Sequence, residues 1–158
     1  MRINKINHYL NVAKTMAERS PCSRRKFGAI LVKNDTIIST GYNGSPRGTF
    51  NCGEDVKCLK DVHNEEHYKS YEHCPAIHAE MNVVINAARS GISTIDSTLF
   101  LSGYENYSER PCILCRRFII QAGVADCYYY DKEGKIVYEK VEEWQSMENE
   151  WMKNEERL

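Results

Sequence analysis

Apolar and polar positions follow two different periods along the chain, and the points where the period changes mark its elements. Over residues 3–18, Ile3, Ile6, Leu10, Ala13 and Ala17 recur at three-to-four spacing, which predicts an amphipathic helix. "FGAILVK" (27–33) and "TIISTGY" (36–42) are β-rich runs parted by the turn pair "ND", and they predict a hairpin. From 43 to 77 the periodicity stops. This stretch is polar, rich in Gly, Asn, His and Glu, and carries Cys52, Cys58 and Cys74. A connection of that length in a compact domain is functional or organised by something other than an apolar core. Periodicity returns in "HAEMNVVINAARSG" (78–91), a helix stopped by Gly91, and then in the strand "STLFLSG" (97–103). A second helix, "CILCRRFIIQAG" (112–123), lies between Pro111 and Gly123, and the strand "VADCYYYD" (124–131) follows it. "EGK" turns the chain into "IVYE". The last twenty residues place Trp144, Met147 and Trp151 on one face of a final, acidic helix at about 140–157. A hairpin followed by alternating helices and strands predicts an α/β fold, a three-layer α/β/α sandwich on a mixed sheet of about five strands.

A length of 158 residues fits one domain, 1–158, with the cysteine-bearing insertion at about 44–77. No run of about 18 apolar residues occurs, so no membrane-spanning helix is expected. The first twenty residues lack the apolar block of an export signal, which predicts a cytoplasmic protein. A net charge of −1 and an acidic C-terminal stretch favour a small substrate over a nucleic acid. The seven cysteines change the picture most. Their number is odd, and in a reducing compartment grouped cysteines serve as metal ligands or catalytic groups more often than as disulfides.

"PCILC" opens a predicted helix, so Cys112 and Cys115 lie one turn apart at its positive end, where thiol pKa values fall. "HAE" opens the other helix. Two helices with neighbouring N-termini can bring His78 and the two thiolates to one zinc ion, leaving a fourth position for water, the mark of a catalytic site. Glu80 then stands beside the metal as a general acid/base. A redox cysteine pair, a closed structural zinc site, or a Glu80 that merely complements the helix dipole are the plainer alternatives. H-x-E followed by P-C-x-x-C is the pattern of zinc nucleobase deaminases.

At these residues the chain resembles the cytidine deaminase superfamily. "RRKFGAILVKNDTIISTGYNGSPRG", "CPAIHAEMN", "ERPCILCRR" and "IIQAGV" narrow the resemblance to deoxycytidylate (dCMP) deaminases over roughly residues 5–131. The resemblance implies a cytidine deaminase-like fold, zinc held by His78, Cys112 and Cys115, and proton transfer by Glu80. It implies hydrolysis of dCMP to dUMP and ammonia, which supplies thymidylate synthesis. Some relatives carry a second zinc, and here Cys22, Cys52, Cys58 and Cys74 are the expected structural ligands, with His63, His67 and His73 as competitors. Cys127, inside an apolar strand, is expected to be a core residue.

For the nucleotide, the resemblance points to Asn43 in "GYNGSPRG", whose alternative role is that of a turn former. A 5′-phosphate calls for cations, and Arg24, Arg25 or Lys26 in "SRRK" are the expected readers, with Arg47, Arg116 and Arg117 in reserve. Tyr107 and Ser108 are expected near the base, in a "GYENYSERPC" approach longer than that of many relatives. Many of these enzymes are hexamers activated by dCTP, with Mg²⁺, and inhibited by dTTP. Gly44, Asn82 and Arg89 are the expected effector contacts, and a homo-oligomer, a hexamer, is the expected assembly. Deamination of another free base, a nucleoside or dCTP, deamination of tRNA or single-stranded DNA, and an inactive zinc-stabilised nucleotide sensor are the rival functions.

Overall fold

The computed structural model describes residues 1–66, 71–104 and 109–155. Helix α1 (Lys5–Ala17) leads into strands β1 (Phe27–Lys33) and β2 (Thr36–Tyr42). The short helix α2 (Leu59–Val62) precedes α3 (Ala79–Arg89), β3 (Thr98–Gly103), α4 (Ile113–Gln121), β4 (Asp126–Tyr130), β5 (Ile136–Lys140) and α5 (Val141–Glu155). The strands form one sheet in the order β2-β1-β3-β4-β5. β3 and β4 pair in parallel and the other neighbours are antiparallel. The sheet is therefore mixed, and it is the middle layer of an α/β/α sandwich.

The pleat explains the layers. Ala29 and Leu31 of β1, Leu99 and Leu101 of β3, and Cys127 and Tyr129 of β4 join Val83, Ile119 and Trp144 in one core beneath α3, α4 and α5. Ile30, Val32 and Phe100 point to the other face, against Tyr9, Leu10 and Ala13 of α1. Two glycines permit the close approach of helix to sheet. A Cβ at Gly28 would lie 2.0 Å from the Ala13 carbonyl oxygen, and one at Gly41 would lie 2.5 Å from the Val83 nitrogen.

The hairpin turn is the expected one. Asn34 and Asp35 both have positive φ (50° and 57°), as a two-residue turn between right-twisted strands requires. Asp35 then accepts hydrogen bonds from Lys5 and from the Tyr9 hydroxyl, which ties the turn to α1. Three expectations need adjustment. Ile3 precedes the Asn4 cap and is exposed. The polar segment contains α2, a helix too short for periodicity to reveal. Of the three residues expected on one face of α5, Trp144 joins Val141 in the core at 1% exposure, whereas Met147 and Trp151 lie on the surface at 48% and 49%.

Candidate active site

Antiparallel pairing places the start of β1 beside the ends of β2 and β3, since Phe27 faces Gly103 and Gly28 faces Tyr42. The N-termini of α3 and α4 open onto a cleft at this edge. His78 is the N-cap of α3 and Cys112 the N-cap of α4, each with an extended backbone. Two of the three metal-ligand candidates, His78 and Cys112, thus stand one residue outside the helices that the sequence pattern predicted to contain them, and Cys115 lies inside α4. The Cys115 backbone N–H donates to Cys112 Sγ at 3.5 Å, so the thiol caps its own helix.

His78 Nδ1 lies 3.6 Å from Cys112 Sγ and 3.3 Å from Cys115 Sγ. A tetrahedral zinc with ordinary Zn–N and Zn–S bonds sets its nitrogen and sulfur ligands about 3.6 Å apart. The three donors therefore fit one ion. Among the described residues this is the only group of three or more His, Cys, Asp or Glu side chains whose donor atoms all lie within 4.8 Å of one another. The Cys112 thiol is drawn down to about 3, chiefly by the Cys115 thiol that donates to it and then by His78. Cys115 is pushed far up by the same hydrogen bond and by burial. One thiolate is already favoured, and a cation would claim the second.

Glu80, in the first turn of α3, is 6% exposed. Burial holds its carboxyl above the usual carboxylate range against the opposing pull of His78. Cys127 sits in the core below, fully buried, as expected of a small apolar residue.

The expected nucleotide-binding residues separate. Arg24, Arg25, Asn43 and Gly44 line the cleft together with His78 and Glu80. Arg24 is held by Asp61 at 2.6 Å and donates to the Glu65 carbonyl at 2.9 Å. Arg25 meets Glu109 at 3.5 Å. Lys26 does not line the cleft and lies over the Tyr104 ring, 6.0 Å from its centroid. Asn43 is 8% exposed, and its side chain is engaged with the backbone. Its Oδ1 accepts from Phe27 N–H at 2.8 Å and its Nδ2 donates to the Arg25 carbonyl at 2.9 Å. It shapes the wall that carries Arg25, and one lone pair and one N–H remain for a ligand. Tyr107, Ser108 and His67 lie outside the described residues.

Cys22, Cys52, Cys58 and Cys74 also line the cleft as free thiols, and those of Cys52 and Cys58 are hydrogen-bonded to each other. His73 lines the cleft too, stacked on His63 at 3.9 Å and paired with Glu65. The effector candidates do not converge. Gly44 faces the cleft, Asn82 donates to the Tyr42 carbonyl, and Arg89 lines a separate depression with Arg47 and Asn86. Of the reserve cations, Arg116 donates to the Pro111 carbonyl and Arg117 pairs with Glu148.

Three cleft residues were not among the expected site residues. Lys60 of α2 is 7% exposed, with its Nζ 5.7 Å from the Tyr71 ring centroid. Tyr71 lies 5.7 Å from the His78 ring, centroid to centroid. Arg110 lines the cleft just ahead of Pro111 and Cys112. Only Arg110 stands next to a motif that could have drawn attention to it.

One imidazole and two thiols at adjoining helix starts, with a buried carboxylate in the first turn of α3, make a donor set suited to a zinc ion. A family model described as the cytidine and deoxycytidylate deaminase zinc-binding region matches residues 3–131, and the chain belongs to that family. It is 32% identical over 129 residues to ComE operon protein 2 of Bacillus subtilis, covering 81% of this chain and 60% of that protein. It is 31% identical to the deoxycytidylate deaminase of Enterobacteria phage T2, covering 81% of this chain and 82% of the phage protein. The structure of the dCMP deaminase from cyanophage S-TIM5 in complex with dCMP and dUMP is similar, with a TM-score of 0.63 and 33% identity. That match covers 83% of this chain and 84% of the cyanophage chain.

Proposed function

We propose that this protein is a zinc-dependent hydrolase that converts dCMP and water to dUMP and ammonia. One observation carries the reading: three donors at zinc-ligand spacing beside a buried glutamate, in a chain related to deoxycytidylate deaminases. Zinc, when bound, acts as a Lewis acid and lowers the pKa of a water to about 7. His78, Cys112 and Cys115 are the residues that would hold it. Glu80 takes a proton from the attacking water and gives it to N3 of the pyrimidine. It then carries the second proton to the departing amino group, so that a C4–O bond forms, the C4–N bond breaks and ammonia leaves. Burial, which raises the Glu80 pKa, suits a carboxyl that must hold a proton for part of each cycle.

Arg25 is our assignment for the phosphate. Arg25 lines the cleft with His78 and Glu80, whereas Arg24 is anchored by Asp61 and the Glu65 carbonyl. Cys22, Cys52, Cys58 and Cys74 are assigned to a second, structural zinc, which requires the thiols to draw together when the ion binds.

Ammonia release by zinc-loaded protein on dCMP, deoxycytidine, cytidine, dCTP and a short single-stranded DNA tests the reading. We expect rapid turnover of dCMP alone. Arg25→Ala should raise KM for dCMP about 10–100-fold, the cost of a lost charge-assisted hydrogen bond, and leave deoxycytidine unaffected. Equal rates on dCMP and deoxycytidine would reject the phosphate assignment. Preference for DNA would reject the substrate class. Elemental analysis should give two zinc ions per chain and one in Cys58→Ser, and a single ion in the unaltered protein would remove the structural site.

A further inference from the structure

β5 and α5 lie beyond residue 131, where the family match ends, yet they grip the loop that delivers Cys112. Glu139 on β5 receives Arg110 in a two-pronged pair: Nε donates to Oε2 at 3.0 Å, and a terminal guanidinium nitrogen meets Oε1 at 3.0 Å. The indole N–H of Trp144, itself 1% exposed, donates to the same Oε2 at 3.1 Å. Tyr129 lies alongside, with its hydroxyl pushed up to about 12 by burial and then by the Glu139 charge. Met147 of α5 adds a sulfur contact to Arg110 at 3.2 Å. The side chains of Arg110 and Glu139 are 30% and 18% exposed, so the pair is largely shielded from solvent and geometrically defined.

The next residue is held from another side. Pro111 is fully buried, and its carbonyl accepts from Arg116 at 2.9 Å. Arg110 and Pro111 are therefore fixed, by β5 and by α4 respectively, directly ahead of the residue that caps α4 with its thiol. Little freedom remains in the position of Cys112 Sγ.

We propose that Glu139 is a positioning residue for the catalytic metal: acting through Arg110, it holds the Cys112 thiolate at the distance from His78 that a zinc ion needs. The C-terminal segment is thus part of the active site without touching substrate. This rests on the zinc assignment to His78, Cys112 and Cys115, and it holds whichever amino-bearing substrate the enzyme takes. Partners that orient metal ligands typically contribute 10–100-fold in metal affinity or activity.

The experiment compares zinc-loaded full-length protein with Glu139→Gln, Glu139→Ala, Arg110→Ala, the double alanine variant and Glu148→Ala. Glu148 pairs with Arg117 at 2.9 Å, so its loss loosens α5 without touching the Arg110 clamp. The readouts are the rate of zinc transfer to an excess chelator well below the melting temperature, and kcat and KM for dCMP. Glu139→Ala and Arg110→Ala are each expected to release zinc at least about tenfold faster. The double variant should be no faster than either single one. Glu139→Gln, which still accepts from Trp144, should fall between them and the unaltered protein. For the Glu139 variants kcat should drop while KM stays within about threefold. Glu148→Ala should lower Tm and release zinc at the unaltered rate. Unchanged release in the Glu139 variants, additive effects in the double variant, or equal acceleration by Glu148→Ala would each overturn the proposal. Absence of zinc or of ammonia release in the unaltered protein would instead strike the deaminase assignment.

Discussion

Replacing Glu80 by glutamine separates proton transfer from everything else the site does. The side chain is 6% exposed in the first turn of α3, two residues after a metal-ligand candidate. Glutamine has the same shape, so the helix start and the packing survive. The amide has no proton to carry between water, N3 and the leaving amino group. Positioned general acid–base catalysis contributes about 10²–10⁴ in rate. The barrier should therefore rise by about 3–5 kcal/mol. Stability should move the other way. Burial already penalises the Glu80 carboxylate, and a neutral amide avoids that penalty, so Tm should hold or increase. The assay is ammonia release from dCMP, with zinc content by elemental analysis and dUMP binding by calorimetry on the same preparation. Full zinc, normal nucleotide binding and turnover reduced at least a hundredfold, as that contribution implies, are the expected set. Turnover within tenfold of the unaltered enzyme would remove Glu80 from the chemistry. Loss of zinc would recast it as a metal ligand.

Two further outcomes test the frame around the site. Gly28→Ala should destabilise the fold by about 3 kcal/mol, because the new methyl meets backbone atoms of α1 that cannot rotate away, and chemical denaturation reads this directly. Tyr129, with its folded pKa raised to about 12 from the ordinary 10, contributes stability that is fully present below pH 10 and is lost as the pH climbs towards 12. Tyr129→Phe should flatten that alkaline limb of the stability curve, and a limb unchanged by the substitution would refute the assignment.

The sequence made the chemistry legible because metal-site motifs are local. "HAE" and "PCILC" each occupy a few residues, and the glycines and proline around them mark helix ends that depend only on short-range backbone conformation. The middle of the sheet was legible for a similar reason, since β1 and β3, buried on both faces, read as apolar runs between turns. What escaped detection was long-range or sub-periodic. α2 spans four residues, fewer than any amphipathic pattern needs, so a lysine buried in the cleft looked like loop. The motif marked Asn43 as a ligand contact, but not the two backbone bonds, to Phe27 and Arg25, that its amide also makes. The Arg110–Glu139 pair joins residues 29 positions apart, and nothing in either local pattern announces it.

The acidic C-terminal stretch also acquires a different meaning in three dimensions. Read as a sequence it repels phosphate, and its net charge argues against a polymeric substrate. In the fold two of its carboxylates are matched to particular cations: Glu139 to Arg110 and Glu148 to Arg117. The insertion does the same on the other wall, where Asp61 holds Arg24. Two of the three cleft arginines, Arg24 and Arg110, are thus oriented by carboxylates at 3.0 Å or less, and Arg25 meets Glu109 at 3.5 Å. A dianionic phosphate competes well with a carboxylate for a guanidinium, since it offers more charge and a matching pair of oxygens. A neutral nucleoside offers neither. On the proposed assignment, discrimination for a nucleotide over its nucleoside comes from that exchange of one anion for another at a cleft arginine.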